Sequence, residues 1–544
     1  MCVGPSKKSS WIKTKKTEKM GLQDLAQGGS SHVKVLWQSS SSGLWAVLLC
    51  KLIEACSYMM CALTLKQYLV DNFGLSDVEA GYVYGIWGLT STLYGLLLGI
   101  VIDKVGVRWS LLTGGVLLTI SRIWLGLTLS KTSMLFILYV LLPTGCALGM
   151  PVKYIAVKRY TPSVVGGVAY GLLYLYLNLG YFFAGFLVDF FRDFFPLQYS
   201  ETKNGKTVEF DSPLQDVSIW DQMTAYRWIQ IYSAFMTIIF LCIAAVFVHD
   251  VEVVLKQGDD LEKNSNNVQK KTNSNKIIRG KDLKTDADLR KYQGNPEDID
   301  NGTSKWDMQV YAHKPKDDVL SIISNVGSDQ VFWLVTALCF AILGVRMLFR
   351  HLDATFPQYM ERELGDDVKL GAVFSMNPLA VVLFLVFLAP LFSNADTMWT
   401  MIGGMIVTAA APLWLVIEPA YWTGILFMVT MALGEAVWMP KYMDLTISKA
   451  CPDGEEGIFT ALVNAPTFFA KFLAGVVSGY LLDKYCPEEG ERHSRDMWLI
   501  IGAISLSSPI LVLAFQLLGI WTPLRHGMKS SNEKKVVESS DKKI

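Results

Sequence analysis

The sequence has no Gly-x-x-x-x-Gly-Lys-Ser/Thr loop to cradle nucleotide phosphates, which argues against an ATP-driven pump. Its six histidines are scattered, with His313, His493 and His526 outside the apolar runs. No Cys/His set has the spacing of a metal site, so no metal is expected. No soluble-enzyme signature is present, and neither catalytic residues nor a cofactor are expected. The 49 basic and 49 acidic residues cancel, so net charge points to no partner, and no nucleic acid is expected. Residues 1–42 are polar and basic and lack an apolar leader with a small-residue cleavage site. The first apolar run is therefore expected to serve as its own insertion signal. Of nine cysteines only Cys486 is placed on the far side of a membrane, so no disulfide framework is expected.

What the chain has in quantity is apolar length. Only 18% of residues are charged against 51% hydrophobic, and the charges are segregated into tails, a central loop and isolated positions inside apolar runs. Those runs reach the ~20 residues needed to cross roughly 30 Å of hydrocarbon. They predict spans near 43–70, 80–102, 109–130, 133–155, 165–190 and 227–248. A second set falls near 331–357, 370–393, 397–417, 421–447, 458–483 and 497–519. The expected organisation is an N-terminal tail (1–42), a six-helix bundle (43–248), a polar, largely disordered linker (249–326), a second six-helix bundle (327–519) and a C-terminal tail (520–544). Val319 to Val326 could form a short interfacial helix within that linker.

Lys/Arg placement orients the spans. Lys7, Lys8, Lys13, Lys15, Lys16 and Lys19 in the first tail, Lys104 and Arg108 after span two, Lys158 and Arg159 after span four, and Lys534, Lys535, Lys542 and Lys543 at the end all fall on one side. That side is expected to be the cytoplasm. Gly185-Phe186-Leu187-Val188-Asp189 ends span five and Gly479-Tyr480-Leu481-Leu482-Asp483 ends span eleven, the kind of echo a duplicated transporter leaves.

The loop Gly99-Ile100-Val101-Ile102-Asp103-Lys104-Val105-Gly106-Val107-Arg108 resembles the signature Gly-x-x-x-Asp-Arg/Lys-x-Gly-Arg-Arg/Lys of the major facilitator superfamily. The resemblance implies an all-α membrane protein with 12 transmembrane helices in two pseudo-symmetric six-helix bundles. Gly99, Asp103, Lys104, Gly106 and Arg108 would form a cytoplasmic gate. The equivalent loop after span eight, Ser393-Asn394-Ala395-Asp396, is degraded. A narrower likeness runs through Ser57-Tyr58, Tyr68 to Ser76, and Leu433-Gly434-Glu435-Ala436, which resemble the proton-coupled oligopeptide transporters. In that family the span-ten carboxylate binds the substrate's amino group, which implies that role for Glu435, and Asp353 resembles its acidic gate residue. The family's Glu-x-x-Glu-Arg appears here as Lys51-Leu52-Ile53-Glu54-Ala55, retaining only Glu54, and its span-four lysine falls nearest Lys153.

Charge inside a span costs roughly 2.5–3.5 kcal/mol on insertion scales, so it normally faces a cavity or a partner. Lys51 and Glu54 share one face of span one, either as a proton-linked pair or as a static ion pair. Glu435 reads as a binding or proton-handling carboxylate, with a buried structural one as the alternative. Arg346 and Arg350 stand one turn apart beside Asp353. They could clamp a substrate carboxylate, pair with Asp353 or Glu435 as a gate, or snorkel to the interface. Arg122 and Lys471 are weaker candidates. Tyr170, Tyr174 and Tyr181 share a face that could line a polar cavity.

The expected activity is alternating-access transport of a small-molecule substrate across the lipid bilayer by a monomer. The resemblance implies proton-coupled uptake of amino acids or short peptides. An uncoupled facilitator or exchanger of organic anions and a transport-dead sensor remain open.

Overall fold

A computed structural model describes residues 42–160, 166–203, 206–210, 219–248, 330–392, 395–443, 445–446 and 456–521. The expected 249–326 linker lies outside these residues, as do the tails apart from Ser42, Ile520 and Trp521. The chain begins with α1 (Ser42–Phe73), ended by Gly74 at φ +57, a left-handed position that glycine adopts without strain. Next comes α2 (Asp77–Val105), started by a capping box in which Ser76 and Glu79 bond each other's backbone N–H. Gly106, at φ +88, turns the chain directly into α3 (Val107–Leu127). The fourth helix, α4, runs through Lys131–Phe136, a π turn at Ile137–Leu141, and Leu142–Tyr160. Then follow α5 (Gly166–Phe194) and α6 (Ala225–Phe247). Between them lies an antiparallel hairpin, β1 (Tyr199–Lys203) with β2 (Lys206–Phe210), which hydropathy did not anticipate.

The second half opens on a broken helix, α7, formed by Gln330–Ala341, Leu343–Ala354 and Phe356–Leu364. Its first two pieces bend by 52°. The break leaves the Val345 N–H unpaired within the helix, and Ser508 Oγ accepts it at 3.0 Å, as a dry interior requires. The chain continues as α8 (Leu370–Leu391), α9 (Thr397–Ala410 with Leu413–Ile417), α10 (Tyr421–Met443), α11 (Glu456–Tyr485) and α12 (Ser494–Leu517). Among the described residues nine helices pass a length-and-apolarity test for crossing a membrane, and the bent pair in α7 makes a tenth. With α2 and α11 they form twelve helices in two six-helix bundles.

The duplication hinted at by two short echoes is plain in the packing. Within the first bundle α1 packs on α5 and α6, α3 on α4 and α6, and α2 on α4. Adding six to each number gives the second bundle: α7 on α11 and α12, α9 on α10 and α12, and α8 on α10. The bundles meet through α2 against α11 and α5 against α8, again the same pair shifted by six. In lipid, close approach depends on small residues rather than on expulsion of water. A Cβ on Gly475 would sit 2.7 Å from the Gly81 carbonyl oxygen, and one on Gly479 2.7 Å from that of Asp77. Gly185 and Gly371 make the equivalent backbone contact between α5 and α8. Thus the paired Gly-x-x-x-Asp endings mark the two crossings that join the halves.

Gly475→Leu should therefore cost about 1–3 kcal/mol, the usual range for overpacking. It should be read as a lowered melting temperature of the purified protein. Gly403→Leu is the control: nothing lies within 4 Å of a Cβ there, and the melting temperature should stay put.

Candidate functional site

In the first bundle α1 meets α5 at short range, and its Glu54 side chain reaches α4. Gly180 lies against the Leu52 carbonyl and Ala55, bringing α5 onto the turn of α1 that carries Glu54. Glu54 Oε1 lies 2.7 Å from Lys153 Nζ, and its Oε2 lies 3.6 Å from Lys51 Nζ. Lys153 is fully buried, donates to the Gly149 carbonyl at 2.8 Å and packs against the ring of Phe240. Lys51 stands over Tyr154, whose side is 44% exposed and therefore borders open space. Deeper in the bundle Arg122 bonds Thr237 Oγ1 and the Ser233 carbonyl of α6. One carboxylate thus serves two lysines, and the three residues picked out in α1 and α4 converge on one spot.

In the second bundle Gly434 fits against Gly404 and Thr408 of α9. That contact turns the next residue, Glu435, toward the first bundle, where Tyr174 of α5 donates to its Oε1 at 2.6 Å. Arg346 stacks its guanidinium over Trp438 (5.2 Å) and Tyr442 (4.8 Å). Its Nε and Nη2 find no hydrogen-bond acceptor among the described residues. Asp353 accepts from Tyr84 of α2 at 2.6 Å and lies 3.9 Å from Arg350. Arg350 keeps 29% of its side chain exposed, so this group is reachable. Beside it Lys471 donates to Tyr58 at 3.2 Å and lies 3.3 Å from the centre of the Trp87 ring. Three contacts therefore cross between the bundles at mid-depth: Tyr174 to Glu435, Tyr84 to Asp353, and Tyr58 to Lys471.

A second set of inter-bundle contacts, not singled out by the sequence, closes the end of the molecule where α1 runs into α2. Arg362 at the end of α7 grips Asp77 at the start of α2 with both terminal nitrogens, at 2.8 and 2.9 Å. Gln358 joins them at 3.1 Å. Arg192 of α5 pairs with Glu361 at 2.9 Å, and Gln67 of α1 bonds the same carboxylate. Asp189 accepts from the Gly371 and Ala372 N–H groups at the start of α8, at 2.8 and 2.7 Å. Lys66 reaches Ser478 of α11. Asp193 bonds the exposed Lys369 and holds its ammonium above the usual lysine range, so this pair weakens only as pH rises through that raised value. Lys66 and Asp189 lay in apolar runs and could have been flagged by the same cost argument that found Glu54, whereas Arg192 falls just past the run that ended near residue 190.

At the opposite end, Gly106 makes the tight turn expected of the signature loop, and Arg108 donates to the Ala245 carbonyl of its own bundle at 2.8 Å. The side chains of Asp103 and Lys104, and the surroundings of Gly99, lie outside the described residues. Of the tyrosine face, Tyr174 reaches Glu435, whereas Tyr170 lies 3.4 Å from the backbone carbonyl of Tyr154.

The family model of the Major Facilitator Superfamily matches residues 47–474. No curated protein sequence matches the chain. Among solved structures it is similar to one described under substrate recognition in proton dependent oligopeptide transporters, with TM-score 0.58, 12% identity, and 89% of this chain and 99% of that one covered. It is also similar to a POT family transporter in complex with 5-aminolevulinic acid (TM-score 0.57, 13% identity, 88% and 98% covered). The nucleoside transporter NupG gives TM-score 0.55 at 13% identity, with 87% and 99% covered. At such identities the likeness concerns the fold.

Removing the carboxylate from a buried pair typically costs about 3–5 kcal/mol. Glu54→Gln should lower the melting temperature accordingly, and Lys153→Met added to it should recover much of the loss. Simple additivity of the two substitutions would contradict the ion pair. At the other end, Arg362→Gln should open the lock. A cysteine placed at the buried Ser478, in a background without other cysteines, should then react about tenfold faster with a water-soluble thiol reagent, equivalent to ~1.4 kcal/mol.

Proposed function

The chain belongs to the Major Facilitator Superfamily, a multi-pass membrane transporter, and from that premise we propose secondary active transport by alternating access. The observation that carries the proposal is one of placement. Charged residues from both bundles face each other at mid-depth, while a dense ionic lock joins the bundles at the end where α1 runs into α2. A solute bound among Glu54, Arg350, Asp353 and Glu435 would touch both halves, so rocking of one half on the other would carry it from end to end. The lysine and arginine distribution supports cytoplasmic chain termini, which would put the lock outside. The conformation is then closed to the exterior.

The substrate reading is proton-coupled uptake of amino acids or short peptides. Glu435 supplies a carboxylate for an amino group, and Tyr174 holds it across the interface. Glu54 supplies a proton acceptor whose neutralisation would release Lys51 and Lys153. That release is a charge change large enough to favour one arrangement of α1 against α4. A second reading, exchange of organic anions without a proton, draws support from the surplus of cations. Among the described residues, the six cations Lys51, Arg122, Lys153, Arg346, Arg350 and Lys471 stand near three carboxylates, Glu54, Asp353 and Glu435.

Proteoliposomes given a solute panel, with and without an inward proton gradient, separate the two. The coupled reading expects gradient-driven accumulation that Glu54→Gln reduces by about tenfold or more, as loss of a ~1.4 kcal/mol coupling requires. Counterflow unaffected by pH would support the exchanger. No movement of any solute would contradict both.

A further inference from the structure

We propose that Lys471, held in a cage of Tyr58, Tyr84 and Trp87, is the receptor for the substrate's carboxylate. The proposal rests on the transport reading above and names the contact that selects one substrate class. The sequence suggested Arg346 and Arg350 for this task. Arg346 instead sits over the rings of Trp438 and Tyr442, and Arg350 faces Asp353.

The cage has the chemistry of a holding position. An ammonium offers three donors. Here one goes to the Tyr58 hydroxyl at 3.2 Å, and the head group otherwise meets ring faces: Trp87 at 3.3 Å, Tyr84 at 4.8 Å and Tyr58 at 5.6 Å. Lys471 is buried and has no carboxylate within ion-pair distance among the described residues. Ring faces attract a cation with about 0.5–2 kcal/mol, less than a charge-assisted hydrogen bond can supply. A carboxylate arriving from solution therefore outcompetes the cage. The neighbouring Asp353 does not satisfy this need, because it already accepts from Tyr84 and faces Arg350. Lys471, Arg350 and Asp353 together carry one positive charge in excess, which a single carboxylate cancels.

Position adds to the chemistry. Lys471 belongs to α11 of the second bundle, whereas all three rings belong to α1 and α2 of the first. A Cβ on Gly88 would strike the Lys471 stem at 2.7 Å, so the absence of a side chain there lets the lysine cross. Transfer of the ammonium from rings to substrate thus exchanges an inter-bundle contact for a substrate contact. This is the differential interaction a substrate needs to shift the balance between two states.

The test measures affinity of the purified full-length chain in lipid nanodiscs for alanine, dialanine, acetate, propionate and succinate, each beside its amide. The wild type should prefer at least one carboxylate over its amide by about tenfold. Lys471→Gln should bring that ratio close to one without weakening the amide, and Lys471→Arg should preserve it. A purely structural lysine would move both affinities together. Trp87→Leu loosens the cage and keeps the charge, so it provides a second arm that does not depend on folding of the glutamine variant; it should hold or raise the ratio. No carboxylate preference in the wild type, or a preference that survives Lys471→Gln, overturns the proposal. The transport reading fails separately, if wild-type vesicles accumulate none of the solutes that the nanodisc protein binds.

Discussion

A charge in the middle of a bilayer must meet an opposite charge, a polar or aromatic partner, or water, and this constraint organises both halves of the molecule. Glu54 lies between two ammonium groups and can neutralise one of them. Asp353 and Glu435 each take a tyrosine hydroxyl from the opposite bundle. The helices that carry these groups also carry the glycines that let them approach. Gly180 stands against the turn before Glu54, Gly434 immediately before Glu435, and Gly88 beside Lys471. Small residues and buried charges are therefore one device: the first create the distance, the second make use of it.

The two ends of the molecule divide the energetic roles. At the locked end, cations and carboxylates meet directly, as Arg362 with Asp77 and Arg192 with Glu361 do, and they hold the bundles together. At mid-depth the cations outnumber the carboxylates, and several rest on ring faces or backbone carbonyls. Breaking a lock of matched charges is unfavourable unless something is gained elsewhere, and on the proposed transport reading a solute bound at the unmatched centre would provide that gain. On that reading, occupancy of the centre and opening of the lock are linked without any dedicated signalling element.

The fold was legible because hydrocarbon thickness dictates run length and because Gly106 forces a turn whose sequence context is distinctive. The helices fall within a few residues of the apolar runs. The main exception is α7, where three pieces extend to Leu364 beyond the apolar stretch that ended near residue 357. The site was legible in part, since Lys51, Glu54 and Asp353 advertise their cost of burial from composition alone. Their partners were not. Lys153 pairs with Glu54 only because α4 packs beside α1, with Gly149 leaving room for the Glu54 carboxylate, and the Trp87 cage needs α2 to meet α11. Such contacts join residues from about one hundred to nearly four hundred positions apart in the chain, and no local period encodes them. The β1–β2 hairpin escaped for a different reason: it lies outside the apolar runs that guided the reading.

The most direct test of alternating access is a pair of distance measurements on spin-labelled protein in lipid. One pair, at exposed Lys131 and Glu418, spans the locked end; the other, at exposed Val105 and Leu391, spans the opposite end. Alternating access predicts that a transported solute or a proton gradient lengthens the first distance while shortening the second. Two distances that stay fixed under every condition, or that lengthen together, would contradict it.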